Sequence, residues 1–205
     1  MNRILRTSLL ALFLTTGVAA LPPASPAHAE APAAATATSF LRAKHESIVA
    51  LLKSNAADKD KKVDAELDAM VDYDQMAQDA LGANWAARKE SEQKEFKDLL
   101  HQLIQKNYKK RLMSTLDYRI DYTGEDAKGT DAVVHTSAQN INDKREAPVQ
   151  IDYVVRKRPS GFVVVDLVPE TSSVIKTYNK EFTKLIKDKG WDEVIKKMKD
   201  KLAKA

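Results

Sequence analysis

The chain contains no cysteine, which excludes disulfide staples, thiol nucleophiles and thiolate–metal sites. Six glycines in 205 residues leave little from which to build a phosphate-cradling loop, and no glycine-rich motif or nucleophile elbow is present. Histidine is scarce as well. His28 falls in an N-terminal leader, and His45, His101 and His135 lie far apart. None has a carboxylate or a second histidine at metal-ligand spacing, so all three are expected as scattered surface residues. Beyond the first twenty or so residues there is no apolar run near the ~20 residues that cross a bilayer.

What is present begins at the N-terminus. Arg3 and Arg6 precede an apolar stretch from Thr7 to Ala20, and Ala27-His28-Ala29 offers small residues around a variable one. That order is a secretory signal peptide with cleavage after Ala29. The stretch is too short to serve as an anchor, and there is no cysteine to lipidate. The sequence therefore divides into a cleaved signal, 1–29, a flexible Ala/Pro/Thr leader, 30–38, and one domain, 39–205. Losing Arg3 and Arg6 lowers the net charge from +4 to +2. The remaining positive charge is uneven: residues 176–205 hold ten lysines against five acids. Lys176, Lys180, Lys184 and Lys187 share one helical face. It is either a solvated surface or a patch for anionic headgroups or an acidic partner. Export argues against nucleic acid.

Helical patterning runs from Ser39 to Leu52, through Val63 to Val71, from Tyr73 to Leu81 with Asp72 or Asp74 as cap, and from Ser91 to about Met113. Alternation then takes over. Tyr118, Ile120 and Tyr122 form one run, Gly124 to Asp131 reads as a turn, and Ala132 to Ile141 is the next run. A third strand carries Val149, Ile151, Tyr153 and Val155 on one face. Pro159-Ser160-Gly161 supplies a turn, and Phe162 to Val168 a fourth strand that Pro169 ends. Thr171, Ser172 or Ser173 caps a helix with Val174, Ile175, Tyr178, Phe182, Leu185 and Ile186 as its stripe. Gly190-Trp191 leads into a last helix with Val194, Ile195, Met198 and Leu202. Helices, a four-stranded antiparallel meander, then helices make an α+β domain with helices packed on one face of a curved sheet.

Several of these positions carry a resemblance. Pro148, Ile151, Asp152, Tyr153, Gly161, Phe162, Val164, Asp166, Glu170, Ser173, Tyr178 and Phe182, preceded by Tyr73-Asp74, Met76-Ala77, Leu81-Gly82 and Trp85, follow one another in an order that resembles the MlaC, or toluene-tolerance, family. The resemblance covers about residues 40–203. Thr171 and Asn179 depart from an expected Gly and Arg, and Phe162 replaces the commoner Trp. The resemblance implies an NTF2-like domain around an apolar cavity. It implies a monomeric periplasmic carrier, an auxiliary component of an ABC transport system, that shuttles phospholipid between the outer and inner membranes. Phospholipid is then cargo, with no cofactor and no enzymatic role. The implied partners are an inner-membrane ABC transporter complex and an outer-membrane lipoprotein complex. The cavity-wall candidates are Tyr108, Leu112, Tyr118, Ile120, Val149, Ile151, Tyr153, Val164, Tyr178 and Phe182.

The residues themselves leave alternatives. Asp152 and Asp166 sit within strands, where a buried carboxylate near a tyrosine would suit an acid–base enzyme on a small apolar substrate. By alternation Asp152 lies on the polar face and Asp166 shares parity with Phe162, Val164 and Val168. Structural pairing with Arg156, Arg119 or Lys157 is the simpler role. A chaperone for apolar protein segments is the third reading. Tyr108, Tyr118, Tyr122, Tyr153 and Tyr178 all fall on apolar stripes, which suits core packing or an amphipathic cavity mouth equally.

Overall fold

Two bulges decide which residues of the expected meander face inward. The computed structural model describes residues 36–114 and 116–204, all within one compact unit. Its strands are β1 (Tyr118–Lys128), β2 (Asp131–Asn140), β3 (Val149–Arg158) and β4 (Gly161–Pro169). They pair in chain order as an open antiparallel sheet. β1 does not stop at Gly124, as its turn chemistry suggests. Pairing passes from Tyr122↔Thr136 to Gly124↔His135 and runs on to Lys128↔Asp131, so Thr123 is the extra residue of a bulge. The turn lies instead at Gly129-Thr130, where Gly129 adopts φ +63°.

The second bulge lies in β4. Val155 pairs with Val164 but Val154 pairs with Asp166, which leaves Val165 unmatched. One extra residue reverses the facing of everything beyond it. Phe162 and Val164 share the inner face, but past the bulge Leu167 faces inward opposite Tyr153. Strict alternation puts Asp166 with Val164; the bulge puts it with Val154 on the other side. There its carboxylate accepts from the Ser173 hydroxyl and the Ile175 N–H at 3.1 Å. Asp166 therefore ties β4 to the start of the next helix instead of pairing with an arginine.

The helices are α1 (Ala37–Lys53), α2 (Lys59–Met70), α3 (Tyr73–Leu81), α4 (Glu90–Ser114), α5 (Val174–Lys189) and α6 (Trp191–Lys204). Local chemistry sets their starts. Thr36 and Ser39 form a capping box on α1. Asp72 rather than Asp74 caps α3 through the Gln75 N–H, and its other oxygen accepts from Arg158 at 2.7 Å. Ser173 caps α5. On α1, Leu41, His45 and Ile48 recur at helical spacing and are all buried. Leu41 and Ile48 share one buried core with Val134, Tyr153, Val155 and Val164 of the sheet and Val63 and Leu67 of α2, and His45 meets Tyr153. Each such aliphatic side chain contributes roughly 1.5–3 kcal/mol on burial. The free edge of β4 is partly covered, because the Asp72 N–H donates to the Val164 carbonyl at 3.0 Å and Val71 bridges the same residue. None of the described helices is long and apolar enough to cross a membrane.

Candidate functional site

The centre of the layer between sheet and helices is buried. Val134, Val155 and Val164 are fully buried there and Tyr153 is nearly so. A polar cluster drawn from four elements lies within it. His45 of α1 has its Nδ1 2.8 Å from the Tyr122 hydroxyl of β1 and its Nε2 3.2 Å from the Tyr108 hydroxyl of α4. Tyr153 of β3 meets His45 edge-on at 5.1 Å and interacts with the Tyr108 hydroxyl. The Arg42 guanidinium covers the outer side of the Tyr122 ring at 4.2 Å. Burial sets the protonation states. It lowers the His45 pKa to about 4, raises that of Tyr153 to about 12 and pushes Tyr108 and Tyr122 well up. The imidazole is thus neutral, with one nitrogen donating and the other accepting. His45 is not the surface histidine its isolation suggested. It occupies a core position of an apolar stripe because two tyrosines satisfy both ring nitrogens.

An open space lies among three of the helices. α4, α5 and α6 bound a cavity of about 570 Å³, within the ~300–1,000 Å³ of small-molecule sites but not at its upper end. Its floor is apolar: Leu100 and Leu103 of α4, Tyr178, Phe182 and Leu185 of α5, and Met198 of α6. Phe182 is held in place from both sides. Its ring stacks on Tyr178 at 5.6 Å and meets Phe96 edge-on at 5.3 Å. The rim is charged, with Lys184, Lys189, Lys197 and Lys201 beside Glu181 and Asp188. The Lys201 ammonium sits 3.7 Å from Glu181 and 6.0 Å from the centre of the Tyr178 ring.

The ten wall candidates therefore scatter. Tyr178 and Phe182 line this cavity. Tyr108 and Tyr153 belong to the buried polar cluster, and Val164 is core. Ile151 packs half-buried against the core. Ile120 is half-buried on β1. Tyr118 donates to Glu146 at 2.8 Å beside the strand ends. Val149, placed on a continuous inward face with Ile151, is the first residue of β3 and is 37 % exposed. The Leu112 side chain lies outside the described residues, as does the expected signal peptide. Leu185 and Met198 are legible as stripe residues but not as cavity walls, and Leu100 and Leu103 lie in the expected Ser91–Met113 helix. Spacing shows that a face is apolar, not whether a neighbouring helix closes on it.

The other acid–base candidate, Asp152, and the two remaining histidines are each held in a side-chain pair. Asp152 accepts from His135 at 2.9 Å on the sheet's outer face, not from an arginine, and Asp126 approaches the other ring nitrogen at 3.2 Å. The Asp152 contact foremost, with Asp126, raises the His135 pKa. His101 is bound by Asp68 at 2.7 Å. Cross-strand and cross-helix pairs brought together what sequence spacing kept apart. Among the described residues no group of three such side chains is placed to hold a metal ion.

A comparison with curated proteins finds no match. Among solved structures, the phospholipid-binding protein of Ralstonia solanacearum, determined in complex with a phospholipid, matches with a TM-score of 0.71. Identity is 23%, covering 83% of this chain and 98% of that one. The likeness is one of fold: the same α+β arrangement around an unclosed antiparallel sheet. The family model described as MlaC protein matches residues 41–200, which takes in every described helix and strand from Leu41 onward except the end of α6. The chain belongs to the MlaC family.

Proposed function

We propose that this protein is a soluble periplasmic carrier of phospholipid, exported by its N-terminal signal and cleaved near Ala29. The observation that carries the reading is the apolar-floored cavity with a charged rim, in an MlaC chain whose fold neighbour was solved with a phospholipid. The physical need is large. At about 0.8 kcal/mol per CH₂, two acyl chains left in water would cost on the order of 20 kcal/mol. A soluble shuttle must cover them, while the charged headgroup stays near solvent because burying it would cost more than it returns.

A cavity of this size suits one aliphatic chain better than two, so the second chain would lie along the open mouth or part the helices. The working test is transfer. Protein added between donor vesicles with a fluorescent phosphatidylethanolamine and unlabelled acceptors should speed exchange in proportion to its concentration. Exchange no faster than with an unrelated protein would refute the carrier role.

The same reading places the protein between an inner-membrane ABC transporter complex and an outer-membrane lipoprotein complex. Lys176 and Lys180 are exposed on α5 and do not line the cavity, and serve as the docking face. Reversing both to Glu should weaken capture of the membrane partners and leave lipid content unchanged. Unaltered capture would make that face a solvated surface only.

A further inference from the structure

The cavity between α4, α5 and α6 has a rim of one predominant sign. Four lysines come from two helices, Lys184 and Lys189 from α5 and Lys197 and Lys201 from α6. Two acids join them, and one of these, Glu181, is 3.7 Å from Lys201. Asp188 is then the second acid on a rim of four cations. These lysines do not merely continue the solvated face of α5. Lys176 and Lys180 share that face and do not line the cavity, whereas the rim lysines converge on it from both sides of the helical hairpin. The pattern follows from the hairpin itself. Gly190, at φ +86°, turns the chain tightly, so the C-terminal end of α5 and the body of α6 lie side by side. Both carry lysine next to their apolar stripes. A lysine stem can lie along apolar surface while its ammonium stays at the water boundary.

An apolar floor under a positive rim is complementary to one kind of molecule. We propose that this cavity selects lipids with an anionic headgroup: an acyl chain lies on Leu103, Phe182, Leu185 and Met198, and the phosphate and its net negative charge sit among Lys184, Lys189 and Lys197. This rests on the carrier reading and adds to it the class of lipid. A zwitterionic lipid brings its own cation to the rim and gains little from it. An anionic lipid of the same chains gains the full attraction, screened by salt but acting over a few ångströms. A chainless phosphate compound leaves the floor uncovered.

The experiment uses mixed vesicles, so that attraction of the whole protein to the membrane cannot mimic selection by the site. The protein is incubated with equimolar dioleoylphosphatidylglycerol and dioleoylphosphatidylcholine, reisolated, and its bound lipid quantified by mass spectrometry. Bound phosphatidylglycerol should exceed phosphatidylcholine by about fivefold, the factor a well-placed lysine contact supports. The Lys184→Glu/Lys197→Glu variant should bring the ratio to one or below while still taking up phosphatidylcholine. The off-rim Lys176→Glu/Lys180→Glu variant should keep the wild-type ratio. A wild-type ratio near one, or an equal fall in both variants, overturns the selectivity and leaves the carrier intact. Uptake of neither lipid by the wild-type protein overturns the carrier reading itself, and the selectivity with it.

Discussion

The carboxamide of Asn179 occupies the space that a side chain on Gly82 would need. A Cβ built on Gly82 would lie 2.6 Å from the Asn179 Nδ2, and that nitrogen donates to the Asp79 and Ala80 carbonyls at 3.2 and 3.4 Å. Asn179 thus caps the end of α3 from α5, and Gly82, at φ +53°, makes room for it. The contact joins the two sequence blocks on which the family resemblance rests. Asn179, at the position where the family pattern expects an arginine, fills that place with a shorter hydrogen-bonding side chain.

Gly82→Ala should therefore destabilise the protein by about 1–3 kcal/mol, from the positive φ and the clash together. Urea denaturation checks it. The double variant with Asn179→Ala should show coupling, since one part of the penalty disappears with its partner. A midpoint unchanged by Gly82→Ala would mean the contact is loose.

The His45 cluster makes stability depend on pH with a defined sign. The unfolded imidazole takes up its proton near pH 6.5, the folded one only near 4. Between those values the unfolded state holds more protons, so stability is complete above pH 6.5 and falls as pH drops toward 4. The loss amounts to about 3 kcal/mol at most. His135 acts in the opposite sense: its pKa is raised, so its contribution is present at acid pH and fades as pH climbs past its folded value. Urea midpoints at pH 7.5 and 4.5 for wild type and His45→Gln isolate the first effect. The variant should be less stable at pH 7.5 and lose less on acidification. Equal losses in both proteins would show that His45 is not buried neutral.

Two tryptophan substitutions separate the buried layer from the open cavity. Ile151→Trp crowds the packed interface of sheet and helices and should cost about 1–3 kcal/mol while lipid content is retained. Leu185→Trp grows into the cavity between α4, α5 and α6. It should change stability by less than about 1 kcal/mol and lower bound lipid. Melting temperature and extracted lipid are read on the same samples. Lipid lost from Ile151→Trp without loss of stability would move the binding space to the sheet face.

Much of this architecture was legible because it rests on local chemistry. Asp72 and Ser173 announce α3 and α5 as caps, and Pro159-Ser160-Gly161 announces the β3–β4 turn. Pairing overrode local signals in two places. Gly124 reads as a turn residue, yet the β1–β2 ladder absorbs it by extruding Thr123. Asp166 reads as sharing the face of Val164, yet the unmatched Val165 turns it outward. Bulges have no reliable sequence signal, because they satisfy the partner strand rather than their own. The site was the least legible part. Tyr108, Tyr122 and Tyr153 are separated along the chain, and nothing in their spacing shows that they converge on His45. Met198 reads as core stripe, and nothing in its spacing shows that it lines a cavity beside Phe182.

The most direct test of the central claim is native mass spectrometry of the protein purified from periplasm without added ligand. The carrier account predicts a species heavier than the polypeptide by the mass of one phospholipid. Collisional activation should release that lipid, and fragmentation should identify it as a diacyl glycerophospholipid. A single species at the mass of the polypeptide alone, from protein with a cooperative unfolding transition and still empty after incubation with phospholipid vesicles, would contradict it.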